Sequence, residues 1–172
     1  PYEFPDQQFV EPELPPQVSQ SPSQPTEGAS GPEKQLQAAF GQIAALLSRL
    51  PSFQNLKLAV LRTAVMPAVS TGQFLIAEGR NQRTGRTGPI AAVPWAEVNA
   101  KVSQRLMLDR GQLWELSEAE RRSGDIVWIT LAVGEERLLG QIIDRLRTTK
   151  FRGRSIKLFV DGAEQPDTLE AR

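Results

Sequence analysis

The side chains of this chain that could bind or react are lysines, arginines and carboxylates, because the sequence contains neither histidine nor cysteine. Without cysteine there can be no thiolate nucleophile, no disulfide and no zinc–thiolate site. A metal site would need carboxylates alone, and no clustered spacing of Asp and Glu indicates one. We therefore expect no metal and no cofactor.

The densest group of charges is basic and lies between residues 145 and 157. Cations are favoured near the C-terminus of a helix, so one interpretation is a helix end that these charges stabilise. The other is a patch that binds a phosphorylated or acidic partner. The candidate partner-binding residues of this group are Arg145, Arg147, Lys150, Arg152 and Arg154, with Lys157 beside them.

A second Arg-rich stretch, residues 79–88 (GRNQRTGRTG), contains three glycines and three arginines. It matches neither the phosphate-binding loop of nucleotide hydrolases nor the dinucleotide fingerprint. Glycine at this density is typical of a turn between strands. We interpret the stretch as a solvated hairpin loop, with an anion-binding tip as the alternative.

The N-terminal segment differs in composition from the rest of the chain. Residues 1–32 hold five acidic and no basic residues, so the remaining residues carry a net charge of +5; the segment also holds 8 of the 13 prolines. Proline fixes φ and lacks an amide donor, which predicts an extended arm over residues 1–29 without helix or sheet. The arm is either a linker or a docking segment. In the second case its anchors would be Tyr2, Phe4, Phe9 and Leu14.

Charge and hydropathy narrow the class of protein. The whole chain has a net charge of zero, which argues against a strongly electrostatic partner such as bulk nucleic acid. No apolar run is long enough to span a membrane, and no signal peptide is visible. We expect a cytoplasmic protein, either free or on the cytoplasmic face of a membrane complex.

Helical signals recur along the chain. Ser30 and Glu33 have the spacing of a capping box, and apolar residues at helical spacing follow as far as Pro51. A second helix is predicted over about 55–66, with Leu56, Val60, Leu61 and Val65 inward and Pro67 ending or kinking it. Further predicted helices cover about 97–106 and 135–150, and residues 113–122 are irregular or a short helix.

Strand signals alternate with these helices and fix the fold class. The predicted strands are 73–78, 89–95, 126–133 and 154–160, with Pro94 indicating an edge or a bulge. The apolar run 126–133 predicts a central strand, with Trp128 and Leu131 buried. The order predicts an α/β fold, a mixed sheet of about four strands flanked by helices. The domain would span 30–162, with a tail at 163–172.

Four segments together resemble one enzyme family. They are Leu61–Ala77 (LRTAVMPAVSTGQFLIA), Pro94-Trp95-Ala96, Ser123-Gly124-Asp125 with Trp128, and Phe151–Val160 (FRGRSIKLFV). In order and spacing, over about residues 36–161, they are similar to segments of the RTX toxin-activating lysine acyltransferases, the hemolysin-activation family. The resemblance implies an acetyltransferase-like (GNAT-type) fold, and transfer of a fatty acyl group from acyl carrier protein to a lysine.

The resemblance also implies a catalytic histidine between the first two helices and an aspartate in the strand after Ser-Gly-Asp. A base must take the proton of the attacking lysine, and a carboxylate orients that base. Counted without gaps, the family's histidine position is Phe53, in the stretch LPSFQN, and its aspartate position is Leu131. Neither side chain can do this chemistry. We expect Phe53 to pack as a core or interface residue.

Three hypotheses follow. The chain is a catalytically inactive, acyltransferase-like accessory or assembly subunit that docks on a larger complex through its arm. Alternatively, it is an acyltransferase whose base has moved to Asp125, Glu97 or a substrate group. The third is a non-catalytic module that binds acyl carrier protein or an acyl chain. A filled cleft favours the first hypothesis, whereas an open groove favours the others. Trp95 and Trp128 would be core or cleft-lining residues.

Overall fold

The computed structural model describes residues 9–10, 31–159 and 166–170 of the chain. The predicted N-cap Ser30 and the arm residues Tyr2, Phe4 and Leu14 lie outside the described residues. None of the described helices is long and apolar enough to cross a membrane.

The chain has a mixed α/β fold, and from α1 to β6 its main helices and strands follow one another in the order predicted. The helices are α1 (Gly31–Leu47), α2 (Leu58–Thr71), α3 (Ala100–Leu108), α4 (Glu118–Arg121) and α5 (Glu136–Thr148), with 3₁₀ turns at Pro51–Phe53 and Arg110–Trp114. The strands are β1 (Phe9–Val10), β2 (Phe74–Arg80), β3 (Thr87–Val98), β4 (Ile126–Ile129), β5 (Val133–Gly134), β6 (Ile156–Leu158) and β7 (Asp167–Leu169).

These strands form one mixed sheet with the order β1-β2-β3-β4-β6-β7, and β5 also pairs with β3. All described pairs are antiparallel except β4 with β6. The parallel pair is joined through α5, as predicted, because a parallel connection needs a crossover. The sheet has more strands than the predicted four. The additional ones are short, and they include β7, inside the stretch predicted as a tail.

Helices cover both faces of the sheet, and β3 shows this most clearly. Its residues Val93 and Trp95 pack in the cluster beneath α5. The alternate residue Ala92 packs in the cluster of α1 and α2, and Ala96 packs in a third cluster with α3 and the second 3₁₀ turn. Since successive side chains of a strand point to opposite faces, both faces of β3 are buried.

The predicted strand 126–133 is interrupted, and Pro94 supplies the reason. Trp95 pairs with Ile129 and Ala92 pairs with Val133, so residues 130–132 lie opposite residues 93–94. Pro94 has no N–H to donate to this neighbour, although its carbonyl accepts the Thr130 N–H at 3.0 Å. Three residues thus lie opposite two, and the one extra residue makes this a β-bulge. The predicted bulge is therefore confirmed, whereas the predicted edge position is wrong, because β3 is paired on both sides.

The bulge moves side chains from one face of the sheet to the other. Val127 and Ile129 pack beneath α5, but Leu131 and Val133 pack in the cluster of α1 and α2. One extra residue has this effect because successive side chains of a strand point to opposite faces of the sheet. Leu131 is half-buried rather than deep in a central strand, which corrects one part of the prediction. Trp128 is fully buried, as predicted.

The second helix also differs from its prediction. It starts at Leu58 and continues through Pro67 to Thr71, ending at Gly72 with φ of 69°. Glycine adopts this left-handed conformation without steric cost, so Gly72 is the stop signal rather than Pro67. Leu61 and Val65 are buried and Leu56 is half-buried as expected, but Val60 is 43% exposed.

Part of the arm takes part in the sheet. The backbone of β1 pairs antiparallel with β2, Phe9 opposite Ala77 and Val10 opposite Ile76. The expectation of an arm entirely without sheet is wrong at these two residues. They lie in a proline-free run, residues 6–11, whose amides can donate to a sheet edge.

Candidate functional site

The candidate site lies beside the start of β2, where one edge of β3 continues without a partner strand. The first β2 residue, Phe74, pairs with Pro94, so the β3 backbone at residues 95–97 needs other hydrogen-bond partners on that side. The Trp95 N–H donates to the Gln73 carbonyl at 2.9 Å, and the Glu97 carbonyl accepts the Gly124 N–H at 3.2 Å. The Trp95 carbonyl accepts from the Arg121 guanidinium at 2.9 Å.

Arg121 occupies this edge as a buried cation. Its side chain is 1% exposed, and it also reaches the Ala64 carbonyl of α2 at 3.4 Å. No carboxylate among the described residues pairs with it, and its Nε has no acceptor there. Burial disfavours the charged form and lowers the pKa of the guanidinium to about 10. Arg121 therefore ties α4 to α2 and to the edge of β3.

A pocket of about 270 Å³ opens beside this edge. It is lined by Thr71, Gly72, Gln73, Trp95, Glu97, Arg122, Gly124 and Lys150. Three of the segments that carry the resemblance to the acyltransferase family thus meet in one place, with Gly72-Gln73, Trp95 and Gly124. Trp95 is also 2% exposed and packs edge-on against Phe151, so it is both a core and a pocket residue.

The charges at the pocket are mainly positive. Glu97 accepts a hydrogen bond from Arg154 at 2.7 Å, and Arg154 is further fixed by the Asp125 carbonyl. That ion pair neutralises Glu97, the one acid that lines the pocket in the described part of the chain. Arg122 donates to the Thr71 carbonyl at 2.7 Å. The Lys150 ammonium lies 5.3 Å from the centre of the Trp95 ring, within the range of a cation–π contact.

Gly124 is needed because this turn lies against the backbone that links β3 to α3. A Cβ at this position would lie 2.6 Å from the Cα and N of Asn99 and from the Val98 carbonyl oxygen. Non-bonded atoms do not approach so closely. The Ser123 hydroxyl accepts the Asn99 N–H at 3.0 Å and fixes the same junction.

Phe53 and Leu131 do not line this pocket. They stand at the positions that the resemblance assigns to the catalytic base and to the carboxylate that orients it. Both pack against the apolar cluster of α1 and α2, whose members include Ile43 and Val65. Phe53 is half-buried and stacks on Trp114, with ring centres 5.9 Å apart. The expectation that Phe53 packs as an apolar residue agrees with this arrangement.

The basic candidates between residues 145 and 157 have separate environments. Arg147 is buried and pairs with Asp144 at 2.6 Å, whereas Arg145 and Arg152 are exposed. Lys150 and Arg154 are the members that reach the pocket region. Lys157 lies 5.8 Å from the centre of the Trp128 ring.

The Arg-rich hairpin loop is shorter than predicted, since β2 and β3 extend to Arg80 and Thr87. The Asn81 side chain accepts from the backbone N–H groups of Arg83 and Thr84, which closes the turn internally. The loop is largely exposed. This geometry fits the solvated hairpin loop of the first interpretation.

Gln73, Arg121 and Arg122 are site residues that the sequence reasoning missed. Arg121 and Arg122 are adjacent and chemically identical, but one is buried and the other exposed. No spacing in the sequence separates them. Only the capping box of α4, Ser117 with Glu120, predicts the start of the helix that turns Arg121 inward.

Comparison with known proteins agrees with the resemblance. The family model for HlyC, the RTX toxin acyltransferase family, matches residues 33–169, from the first turn of α1 to the end of β7. No curated protein matches the chain significantly. Since the matched residues cover most of the chain, and all of the described elements from α2 onward, this protein belongs to the RTX toxin acyltransferase family.

Proposed function

We propose that this protein is a non-catalytic acyltransferase-like domain that works as an accessory subunit of a larger protein assembly. Membership of the family supports the acyltransferase-like domain. The observation that supports inactivity is the apolar packing at Phe53 and Leu131 in a sequence without histidine. A phenyl ring cannot take the proton of an attacking lysine, and an isobutyl group cannot orient a base.

The environment of Phe53 strengthens this interpretation. The ring stacks on Trp114 and contacts the cluster of α1 and α2, so it fills the position with packed apolar atoms. An apolar ring at the expected base position argues against an enzyme, whereas the open pocket beside β3 is the groove that the alternative hypotheses require. Loss of general-base help alone removes on the order of 10²–10⁴ in rate.

The test is an acyl-transfer assay with fatty-acyl carrier protein and a lysine-containing acceptor from the same organism. We expect no turnover above the uncatalysed rate. Clear turnover that survives Phe53→Ala would contradict inactivity, since the base would then lie elsewhere. A catalytically competent family member with its histidine intact serves as the positive control.

The second candidate function is an acyltransferase with a displaced base, and Glu97 is the pocket residue that could be that base. Glu97 lines the pocket, whereas Asp125 contributes its carbonyl to Arg154 from the neighbouring turn. The ion pair with Arg154 at 2.7 Å engages the Glu97 carboxylate and argues against this role. Loss of any observed transfer in Glu97→Gln, but not in Asp125→Asn, would favour the displaced base.

The assembly role rests on the arm. Its proposed anchors are Tyr2, Phe4, Phe9 and Leu14, because aromatic side chains contribute strongly to interfaces. An extended segment spans up to about 3.3 Å per residue, so residues 1–28 could cross a large subunit surface. We expect deletion of residues 1–28 to abolish co-purification with the native partners. Unchanged association of the truncated protein would reduce the arm to a linker.

Acyl carrier protein is the remaining proposed partner, and the exposed basic residues would suit its acidic surface. Binding without transfer would identify a non-catalytic carrier-binding module. A titration of the full chain with apo and acylated carrier protein tests this. Charge reversal at Arg145 and Arg152, which are both exposed, should weaken binding if these residues form the contact. We place this activity in the cytoplasm, free or on a membrane complex.

A further inference from the structure

We propose that the pocket beside β3 is a binding site for a compact phosphate dianion, such as a phosphate monoester. The inference goes beyond the proposed function and does not depend on whether the chain transfers acyl groups. It rests on three features of the pocket: two cations without carboxylate partners, an acid that is already neutralised, and a volume suited to a small ligand.

The first feature is the pair of cations. Lys150 forms no ion pair with any described carboxylate, and its ammonium contacts the Trp95 ring. Arg122 donates one hydrogen bond, from Nη2 to the Thr71 carbonyl, within the described part of the chain. Arginine has five N–H donors in a fork that matches phosphate oxygens. Most of its donors therefore remain for a ligand.

The second feature is the neutral acid. Glu97 lines the pocket but forms an ion pair with Arg154 at 2.7 Å. Arg154 cannot easily turn away, because its Nε donates to the Asp125 carbonyl at 2.9 Å. The Glu97–Arg154 pair contributes little net charge, so Lys150 and Arg122 leave the pocket with an excess of about two positive charges. A phosphate monoester carries about −1.5 to −2 at pH 7.

The third feature is the lining. The pocket holds about 270 Å³, near the lower limit of about 300 Å³ for drug-sized ligands. Trp95 contributes a small apolar area, since it is 2% exposed. The Gln73 amide and the Thr71 hydroxyl already donate to the Arg121 and Pro67 carbonyls, so the cations are the groups left for the ligand. The Trp95 indole N–H is buried without an acceptor in the described part of the chain.

The test is calorimetric titration of the full chain at low ionic strength with inorganic phosphate and with O-phosphoserine. We expect saturable binding that weakens with salt, because both cations are open to solvent. Succinate also carries two negative charges but separates them along its chain, so it should bind more weakly. Succinate that binds as tightly as phosphate would overturn the phosphate assignment, as would the absence of saturable binding.

Variants with opposite expected signs make the test specific. Lys150→Gln and Arg122→Gln should each weaken phosphate binding about tenfold, since each removes a charge-assisted contact. Lys34→Gln removes the same charge from an exposed residue outside the pocket and should leave binding unchanged. Glu97→Gln removes the acid and should tighten binding. Wild-type affinity in Lys150→Gln would overturn the proposal.

The indole N–H resonances provide a local readout. Trp95 lines the pocket, whereas Trp114 and Trp128 do not. Added phosphate should shift the Trp95 resonance more than the other two. Equal shifts of all three resonances would indicate diffuse ion binding and would contradict a site at this pocket.

Discussion

Two regions of the domain hold the residues on which the proposed functions depend, and they differ in chemistry. The region around Phe53 and Leu131 is an apolar cluster against α1 and α2. The pocket beside β3 is polar and positively charged, with Trp95, Lys150 and Arg122 in its lining. In this chain the family's segments are retained around the pocket, whereas its expected catalytic positions hold hydrophobic residues.

The difference separates residues that the fold requires from residues at the positions where the family resemblance places its chemistry. Three of the retained residues have structural roles. Gly72 ends α2, Trp95 is buried against the sheet, and Gly124 allows a turn to approach β3. Such requirements persist whatever the chemistry. A general base would serve only the reaction, so an apolar ring packed at its expected position is compatible with the same fold. The following predictions test whether one region is structural and the other is open to ligands.

The largest expected effect is in the apolar region. Leu131→Asp should lower the free energy of unfolding by about 2–4 kcal/mol, because a carboxylate would replace apolar contacts with the cluster of α1 and α2. Urea denaturation measures the change. Ala132→Asp is the matched control, since Ala132 is exposed, and it should change stability by less than about 0.5 kcal/mol. Equal stability of both variants would mean that position 131 is an open polar site.

The next effect concerns the turn at the pocket. Gly124→Ala should cost about 1–3 kcal/mol, because the new Cβ would meet backbone atoms of Val98 and Asn99 that cannot rotate away. Gly140→Ala in α5 meets nothing within 4 Å and should stabilise by about 0.5–1 kcal/mol. Thermal unfolding of both variants checks the opposite signs. A Gly124→Ala protein as stable as wild type would show that this junction is loose.

The next prediction compares two neighbouring arginines beside the pocket: Arg121, which is buried, and Arg122, which is exposed. Arg121→Lys should cost about 1–2 kcal/mol, since one ammonium cannot replace the fork that reaches both the Trp95 and Ala64 carbonyls. Arg122→Lys is exposed and should change stability by less than about 0.5 kcal/mol. The measurement is urea denaturation at pH 7. Similar losses of stability in both variants would contradict the conclusion that Arg121 ties α4 to α2 and to the edge of β3.

The smallest effect is at the cap of α4, the helix that carries Arg121. The Ser117 backbone N–H, followed by the Arg105 guanidinium, lowers the pKa of Glu120 below its ordinary value of 4.5. A lowered carboxyl pKa gives stability above the unfolded pKa that is lost as pH falls through the folded pKa. Glu120→Gln should therefore cost about 0.5 kcal/mol at pH 7, and nothing once the wild-type carboxyl is protonated.

Glu118→Gln is the control for that prediction, because Glu118 lies in the same first turn and is exposed. Its substitution should have a smaller effect at pH 7. Denaturation of both variants at pH 7 and at acid pH, below the folded pKa of Glu120, measures the difference. A cost of Glu120→Gln that does not change with pH would argue against the ionised cap.

Much of the fold could be read from the sequence because its signals are local. The apolar stripe of α5 and the apolar run at residues 126–129 predict a helix and a strand from spacing alone. The length of the segment between β4 and β6 fixes their parallel pairing. Pro67 does not end the helix, which was one of the two predicted alternatives, since α2 continues through it until Gly72. The packing of a helix face can outweigh the local cost of one proline.

The sequence by itself determined the absence of histidine and cysteine, the class of the fold and the family segments. The tertiary structure alone decided how these parts meet. The one-residue bulge opposite Pro94 moves Leu131 to the face where Phe53 packs. Since β2 begins only at Phe74, opposite Pro94, it leaves an edge of β3 that Arg121 and Gly124 complete. Both outcomes depend on strand register and on contacts between residues distant in sequence, which local patterns of residue type do not encode.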